Sequence, residues 1–172
     1  MAAAGEKLQA SGRSAGAGRR AAARLAAVQA LYQIEIAAAD PQEVIGQFLS
    51  GERPEPESDD TGGITLPTPD AELFTALVEG VIAHRDGLDS RIAGTLSPDW
   101  TVPRLEILVR LILEAGVFEL TGLPDIPPKV SINEYVNVAH AFFEGAEPGL
   151  INGVLDAVAK SVTPAPESGG AA

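Results

Sequence analysis

Residues 103–120 read PRLEILVRLILEAGVFEL, and this stretch decides the fold. Leu105, Ile107, Leu108, Val109, Leu111, Ile112, Leu113, Val117 and Phe118 spread apolar side chains nearly all the way round a helix. A helix of that kind cannot lie on a surface; it needs neighbours on several sides. The spacing predicts a central helix opened by Pro103 and running to Leu120, in the middle of a bundle.

The segments on either side read as those neighbours. Pro127-Pro128 ends the connection that follows. Ser131-Ile-Asn-Glu134 has the spacing of a capping box and predicts the start of the next helix. That helix would bury Ile132, Val136, Ala139 and Phe143, and Gly145 would stop it. Pro148 opens a last helix with Ile151, Val154, Leu155 and Val158 inward. Towards the N-terminus, Asp70 can cap a helix carrying Leu73, Phe74, Leu77, Val78 and Val81, followed by a shorter one around Leu88–Leu96. Asp40 and Pro41 suit the cap and first position of a helix to about Leu49. Residues 20–38 set Leu25, Val28, Tyr32 and Ile36 at helical spacing as one apolar stripe. No segment alternates like a strand. The reading is an all-α helical bundle of about seven helices.

Composition bounds the rest. The chain has 172 residues, no cysteine and two histidines, His84 and His140. Disulfides, thiol nucleophiles and Cys-ligated metals are excluded, and little is left for a zinc site or a triad. No cofactor, metal or catalytic residue is expected. Gly16-Ala-Gly18-Arg-Arg-Ala21 loosely matches a dinucleotide fingerprint, but no strand precedes it to aim the glycines. Residues 19–39 have arginines ahead of an apolar run, yet Gln29, Gln33 and Glu35 break it, so no signal peptide is read. No run reaches the roughly 18–20 apolar residues of a membrane span, and a cytoplasmic location is expected.

Charge is unevenly distributed. Residues 1–34 hold five cations (Lys7, Arg13, Arg19, Arg20, Arg24) and one acid, a net of +4, while the remainder nets −16. A basic head on an acidic body is a pattern to test against nucleic acid. Residues 1–18 are expected to be a disordered basic tail and 163–172 a second tail. The folded domain would span 19–162 and contain a flexible acidic loop over 51–69, whose Pro, Gly and acids cannot offset ordering entropy. Arg20 and Arg24, four apart, share a helix face. Tyr32 could offer a ring edge to a base or fill the core stripe. Asn152-Gly153 within a helix costs up to about 1 kcal/mol for the glycine, which close packing at Gly153 would explain even with Asn152 touching a ligand.

Several of these residues fall into motifs that resemble the NusB family. They are Arg24-x-x-Ala27-Val-Gln-Ala-Leu-Tyr32, Leu77-Val-x-Gly80-Val, Trp100, Glu119-Leu120, Lys129-Val-Ser-Ile-Asn-Glu134 and Ile151-Asn-Gly-Val-Leu-Asp156. In order and spacing they cover about residues 19–162. The resemblance implies a non-enzymatic RNA-binding protein of two packed three-helix-type lobes. Such a protein pairs with NusE, a small-subunit ribosomal protein, on the boxA element of ribosomal RNA operons. It thereby helps RNA polymerase, in an antitermination complex, read through terminators. It implies RNA contacts at Arg19, Arg20, Arg24, Tyr32 and Asn152. Partner contacts are expected at Glu106, Arg110 and Glu114, and a homodimer is a further expectation. A protein-binding adaptor of the same fold, with little RNA affinity of its own, is the other reading.

Loop-closure entropy grows slowly with length. Deleting residues 53–66 is therefore expected to leave the thermal unfolding midpoint nearly unchanged, and a large drop in a melting experiment would contradict the loop reading.

Overall fold

A computed structural model describes residues 3–51 and 67–163, with side chains described from Ser14 onward. Six α-helices follow one another: α1 (Ala3–Ala37), α2 (Pro41–Ser50), α3 (Ala71–Ala93), α4 (Ile107–Gly122), α5 (Pro128–Phe142) and α6 (Glu147–Val162). A short 3-10 turn, Val102–Arg104, precedes α4. There is no strand among the described residues. Helices α1, α2 and α3 pack on one another, as do α4, α5 and α6, and α4 also packs against α1 and α3. These are the two three-helix groups, with α4 between them as its all-round apolar character required. Val109, Leu111, Ile112, Leu113, Ala115 and Val117 of α4 are all buried.

Local chemistry sets the helix ends. Asp40 Oδ1 accepts from the Gln42 and Glu43 amides at 2.9 and 3.1 Å, and Pro41 occupies the first turn of α2. Asp70 Oδ1 accepts from the Leu73 amide at 3.0 Å at the start of α3. Each bond satisfies a donor that a helix start leaves unpaired. Close approach is set by Gly116 of α4, where an added Cβ would lie 2.8 Å from a Leu155 methyl of α6.

Five local expectations are corrected. The backbone is helical from Ala3, where a disordered tail was read; this stretch has no proline, and alanine, its commonest residue, is the best helix former. The segment around Leu88–Leu96 is not a separate helix. Gly87 alone does not break α3, and Leu88 and Ile92 extend its buried face. Six helices result instead of about seven. Pro103 lies in the 3-10 turn, and Glu106 caps α4 by accepting from the Val109 amide at 3.3 Å. Ser131 is not a cap, because α5 already starts at Pro128 and Ser131 is fully buried in its first turn. The buried face of α1 is Ala23, Ala26, Ala27, Val28, Ala30 and Leu31, with Tyr32 and Ile36 exposed. Small alanines let α1 approach its neighbours closely, so the face is rotated from the stripe of larger residues. The body of the acidic loop, 52–66, and residues 164–172 lie outside the described residues. Among the described residues no helix is long and apolar enough to cross a membrane.

One polar cluster ties α1, α3 and α4 together. Arg85 Nη1 donates to Glu35 Oε2 at 2.7 Å, and its Nε lies 3.3 Å from Glu114 Oε2. Arg110 Nη2 donates to Asp89 Oδ2 at 2.8 Å, and its Nε lies 2.8 Å from Glu114 Oε1. Glu114 is fully buried. Neither Nε–H is aligned for a hydrogen bond to it. Burial pushes the Glu114 carboxyl up to about 7, against the opposing pull of Arg85 and Arg110 and with Asp89 adding to the rise.

The ordinary value for such a carboxyl is 4.5. The folded chain therefore holds a proton at Glu114 that the unfolded chain has already lost as pH rises above that value. Stability from this group is full below about 4.5 and is lost as pH rises through about 7. The stability difference between wild type and Glu114→Gln, from urea melts across pH, should fall over that window and level off above it. A difference independent of pH would contradict the assignment.

Candidate RNA interface

The basic start of the chain is carried on α1, and the structure separates its arginines into two kinds. Arg19 and Arg20 are exposed and make no salt bridge among the described residues. The backbone beneath them is fixed from the other side, since the Asp70 amide donates to the Arg19 carbonyl at 3.0 Å. Pro67 lies against Gly18, where a Cβ would sit 3.4 Å from the proline ring. Arg20 borders a cleft of about 390 Å³ with Asp70, Leu73 and Ile126. It also borders a smaller one of about 170 Å³ that it shares with Asp125, Val130 and Glu134. The surface at Arg20 is thus a cation set among carboxylates and apolar side chains.

Arg24 is the second kind, and here the expectation of a phosphate contact is corrected: only 2% of the residue is exposed. Its Nε donates to both oxygens of Glu119, at 3.1 and 3.0 Å, and its Nη2 to Glu119 Oε1 at 2.7 Å. Its Nη1 reaches Glu134 Oε2 at 3.5 Å. Glu119 also accepts from Ser131 Oγ at 2.7 Å and from the Tyr135 hydroxyl at 2.8 Å. Burial by itself would lower the Arg24 guanidinium, but hydrogen bonding to Glu119 and the negative charge of Glu119 outweigh it and hold the group above its usual value. Burial, then the charge and hydrogen bond of Glu119, push the Tyr135 hydroxyl well up, so it stays a neutral donor. A guanidinium enclosed this way has no face left for a phosphate.

The remaining candidates are scattered. Tyr32 is 38% exposed, but twelve residues of helix set it about 18 Å along α1 from Arg20. The two cannot grip one nucleotide. Asn152 is exposed on α6, beside the half-exposed Leu150. Gly153 next to it is exposed too, and a Cβ there would meet nothing, so close packing does not explain the Asn-Gly pair. Glu106 is exposed, while Arg110 is engaged by Asp89 and Glu114. Glu114, expected to touch a partner, is fully buried and cannot. Sequence reasoning missed Glu119 as the acceptor of Arg24, and Arg85 as a counter-ion of Glu114. The available signal was a glutamate on a helix face that its apolar neighbours mark as buried. Among the described residues no group of His, Asp or Glu side chains is arranged to hold a metal ion.

Comparison with known proteins places this geometry in a family. The model of the NusB family matches residues 21–160. The transcription antitermination protein NusB of Rhodospirillum rubrum is 47% identical over 164 residues, covering 88% of this chain and 89% of the relative. That of Rhizobium leguminosarum bv. trifolii is 44% identical, covering 85% and 89%. Among solved structures, T. maritima NusB superposes with a TM-score of 0.65 at 26% identity, covering 82% of this chain and 90% of its own. NusB from a crystal structure of antitermination factors NusB and NusE in complex with dsRNA shares the fold, with a TM-score of 0.66 at 24% identity, covering 83% and 97%. The chain belongs to the NusB family.

Proposed function

We propose that the protein is a transcription antitermination factor. Paired with NusE, it binds boxA-type single-stranded RNA of ribosomal RNA operons within the antitermination complex of RNA polymerase. It acts in the cytoplasm by binding, with no catalytic step of its own. The observation that carries the reading is the presence of two exposed arginines, Arg19 and Arg20, on a helix whose backbone is anchored beneath them. Relatives at 44–47% identity bear the antitermination name, and a protein of the same fold occurs in a complex with NusE and dsRNA.

The chemistry suits this role. Single-stranded RNA is held by cations on its phosphates together with flat or amide groups that meet its bases. Arg19 and Arg20 supply the cations. Tyr32 and Asn152, both exposed, supply groups for bases further along a strand that crosses the protein. The body carries −16 outside residues 1–34, which repels phosphate at long range. The isolated chain then binds weakly at physiological salt, and NusE contributes positive surface and the remaining affinity. Glu106 at the exposed start of α4 and the part-exposed Arg110 are the candidates for partner contact.

Replacing Arg19 and Arg20 together by Ala, in the presence of NusE, should weaken boxA RNA binding. It should also flatten the slope of log K against log salt by roughly 1–2 units, given about 0.7 per single-strand phosphate contact. Unchanged affinity and slope in a fluorescence-anisotropy titration would contradict the first-helix site.

A further inference from the structure

We infer that Arg24 is a positioning residue for RNA binding: locked to Glu119, Ser131 and Tyr135 behind α1, it holds the Arg19–Arg20 turn in place and keeps Glu134 away from Arg20. The inference rests on the reading of the first helix as the RNA face, and it assigns a role to residues that cannot reach RNA themselves.

The geometry joins three elements at one carboxylate. Arg24 comes from α1, Glu119 from the last turns of α4, and Ser131 and Tyr135 from the first turns of α5. All four are buried, with Glu119, Ser131 and Tyr135 at 0% exposure. Five directed hydrogen-bond contacts converge on the two oxygens of Glu119. A fork-shaped guanidinium on a carboxylate fixes orientation as well as distance. Arg20 lies one helical turn before Arg24, about 6 Å along the axis. The Asp70 amide on the Arg19 carbonyl is the anchor at the other end. The backbone that carries the exposed arginines is therefore held between two fixed points, and having it in place before RNA arrives reduces what binding must spend on ordering.

Glu134 gives the arrangement its second effect. Its side chain, 27% exposed, faces Arg24 Nη1 at 3.5 Å and lines the same small cleft as Arg20. With Arg24 in place, that carboxylate has a cation on its inner side. Without a cation at position 24, Glu134 is free to turn across the cleft and neutralise Arg20, the phosphate-binding group; a lysine there keeps that charge opposite Glu134 and loses only the fork.

The test is a salt series of boxA RNA binding by the full chain with saturating NusE, comparing wild type, Arg20→Ala, Arg24→Lys and Tyr135→Phe. Circular dichroism melts establish that each variant is folded at the assay temperature. Arg20→Ala should flatten the salt slope by about 0.7, the loss of one phosphate contact. Arg24→Lys keeps the charge but loses the fork, and should weaken binding by about tenfold at every salt concentration with the wild-type slope. Tyr135→Phe removes one donor from a residue that RNA cannot touch; being isosteric it keeps the test available if Arg24→Lys does not fold, and it should weaken binding in the same slope-preserving way. If Arg20→Ala changes neither affinity nor slope, the first-helix reading fails and the positioning role fails with it. If Arg20→Ala behaves as expected while folded Arg24→Lys and Tyr135→Phe bind as wild type, the positioning role alone is overturned. A flattened slope for Arg24→Lys would make Arg24 a contact and overturn it too.

Discussion

The pairing of Arg24 with Glu119 is the constraint on which the rest of the structure depends. A guanidinium and a carboxylate removed from water cost several kcal/mol each to desolvate, and their attraction repays this only with good geometry and no unsatisfied partner atoms. Here the two-pronged contact and the Ser131 and Tyr135 hydroxyls meet that condition. The helices that bring these groups must arrive in one register, so α1 cannot slide or rotate on α4 and α5 without stranding a charge. Three of the motifs that resemble the family, those containing Arg24, Glu119 and Ser131, are pieces of this one cluster. Their spacing along the chain looks unrelated until the helices are packed.

Glu114, five residues earlier on α4, shows the contrast. It too is fully buried and faces two arginines, yet neither arginine Nε–H is aligned on its oxygens. Burial, with Asp89 adding and the two arginines opposing, raises that carboxyl to about 7. Glu119 instead is met by donors on both oxygens. The first arrangement couples stability to pH; the second fixes geometry. Between them the two glutamates of α4 tie all three helices that bear the basic face and its support, α1, α3 and α5, to one central rod.

Much of the fold could be read from residues alone because apolar periodicity reports burial directly. The all-round apolar stretch before Leu120 demanded a central helix, and Leu73 to Val81 and Ile151 to Val158 bury the faces their spacing indicated. The misreadings have physical causes as well. Alanines carry little periodic signal, so the buried face of α1 was assigned to its larger residues. A single glycine was given too much weight at position 87. Ser131 has the spacing of a capping box, but two prolines start α5 one turn earlier and its hydroxyl serves Glu119 instead. For the site, exposure of Arg19 and Arg20 followed from the local charge pattern, while the fate of Arg24 did not. Its partner is 95 residues away, and periodicity within one helix carries no information about a contact of that range.

On the proposed function, two exposed arginines among carboxylates, on a body of opposite sign, make few phosphate contacts and leave part of the affinity to a second protein. The most direct measurement of the central claim is a double-mutant cycle in unfolding free energy with Arg24→Met, Glu119→Leu and the pair. Each single change strands a buried charge and is expected to cost about 3–5 kcal/mol. The double variant, with neither charge left, should be far more stable than the sum of the two losses implies. Additive losses would mean that Arg24 and Glu119 do not act as a unit, and that the packing of α1 on α4 and α5 is held by something else.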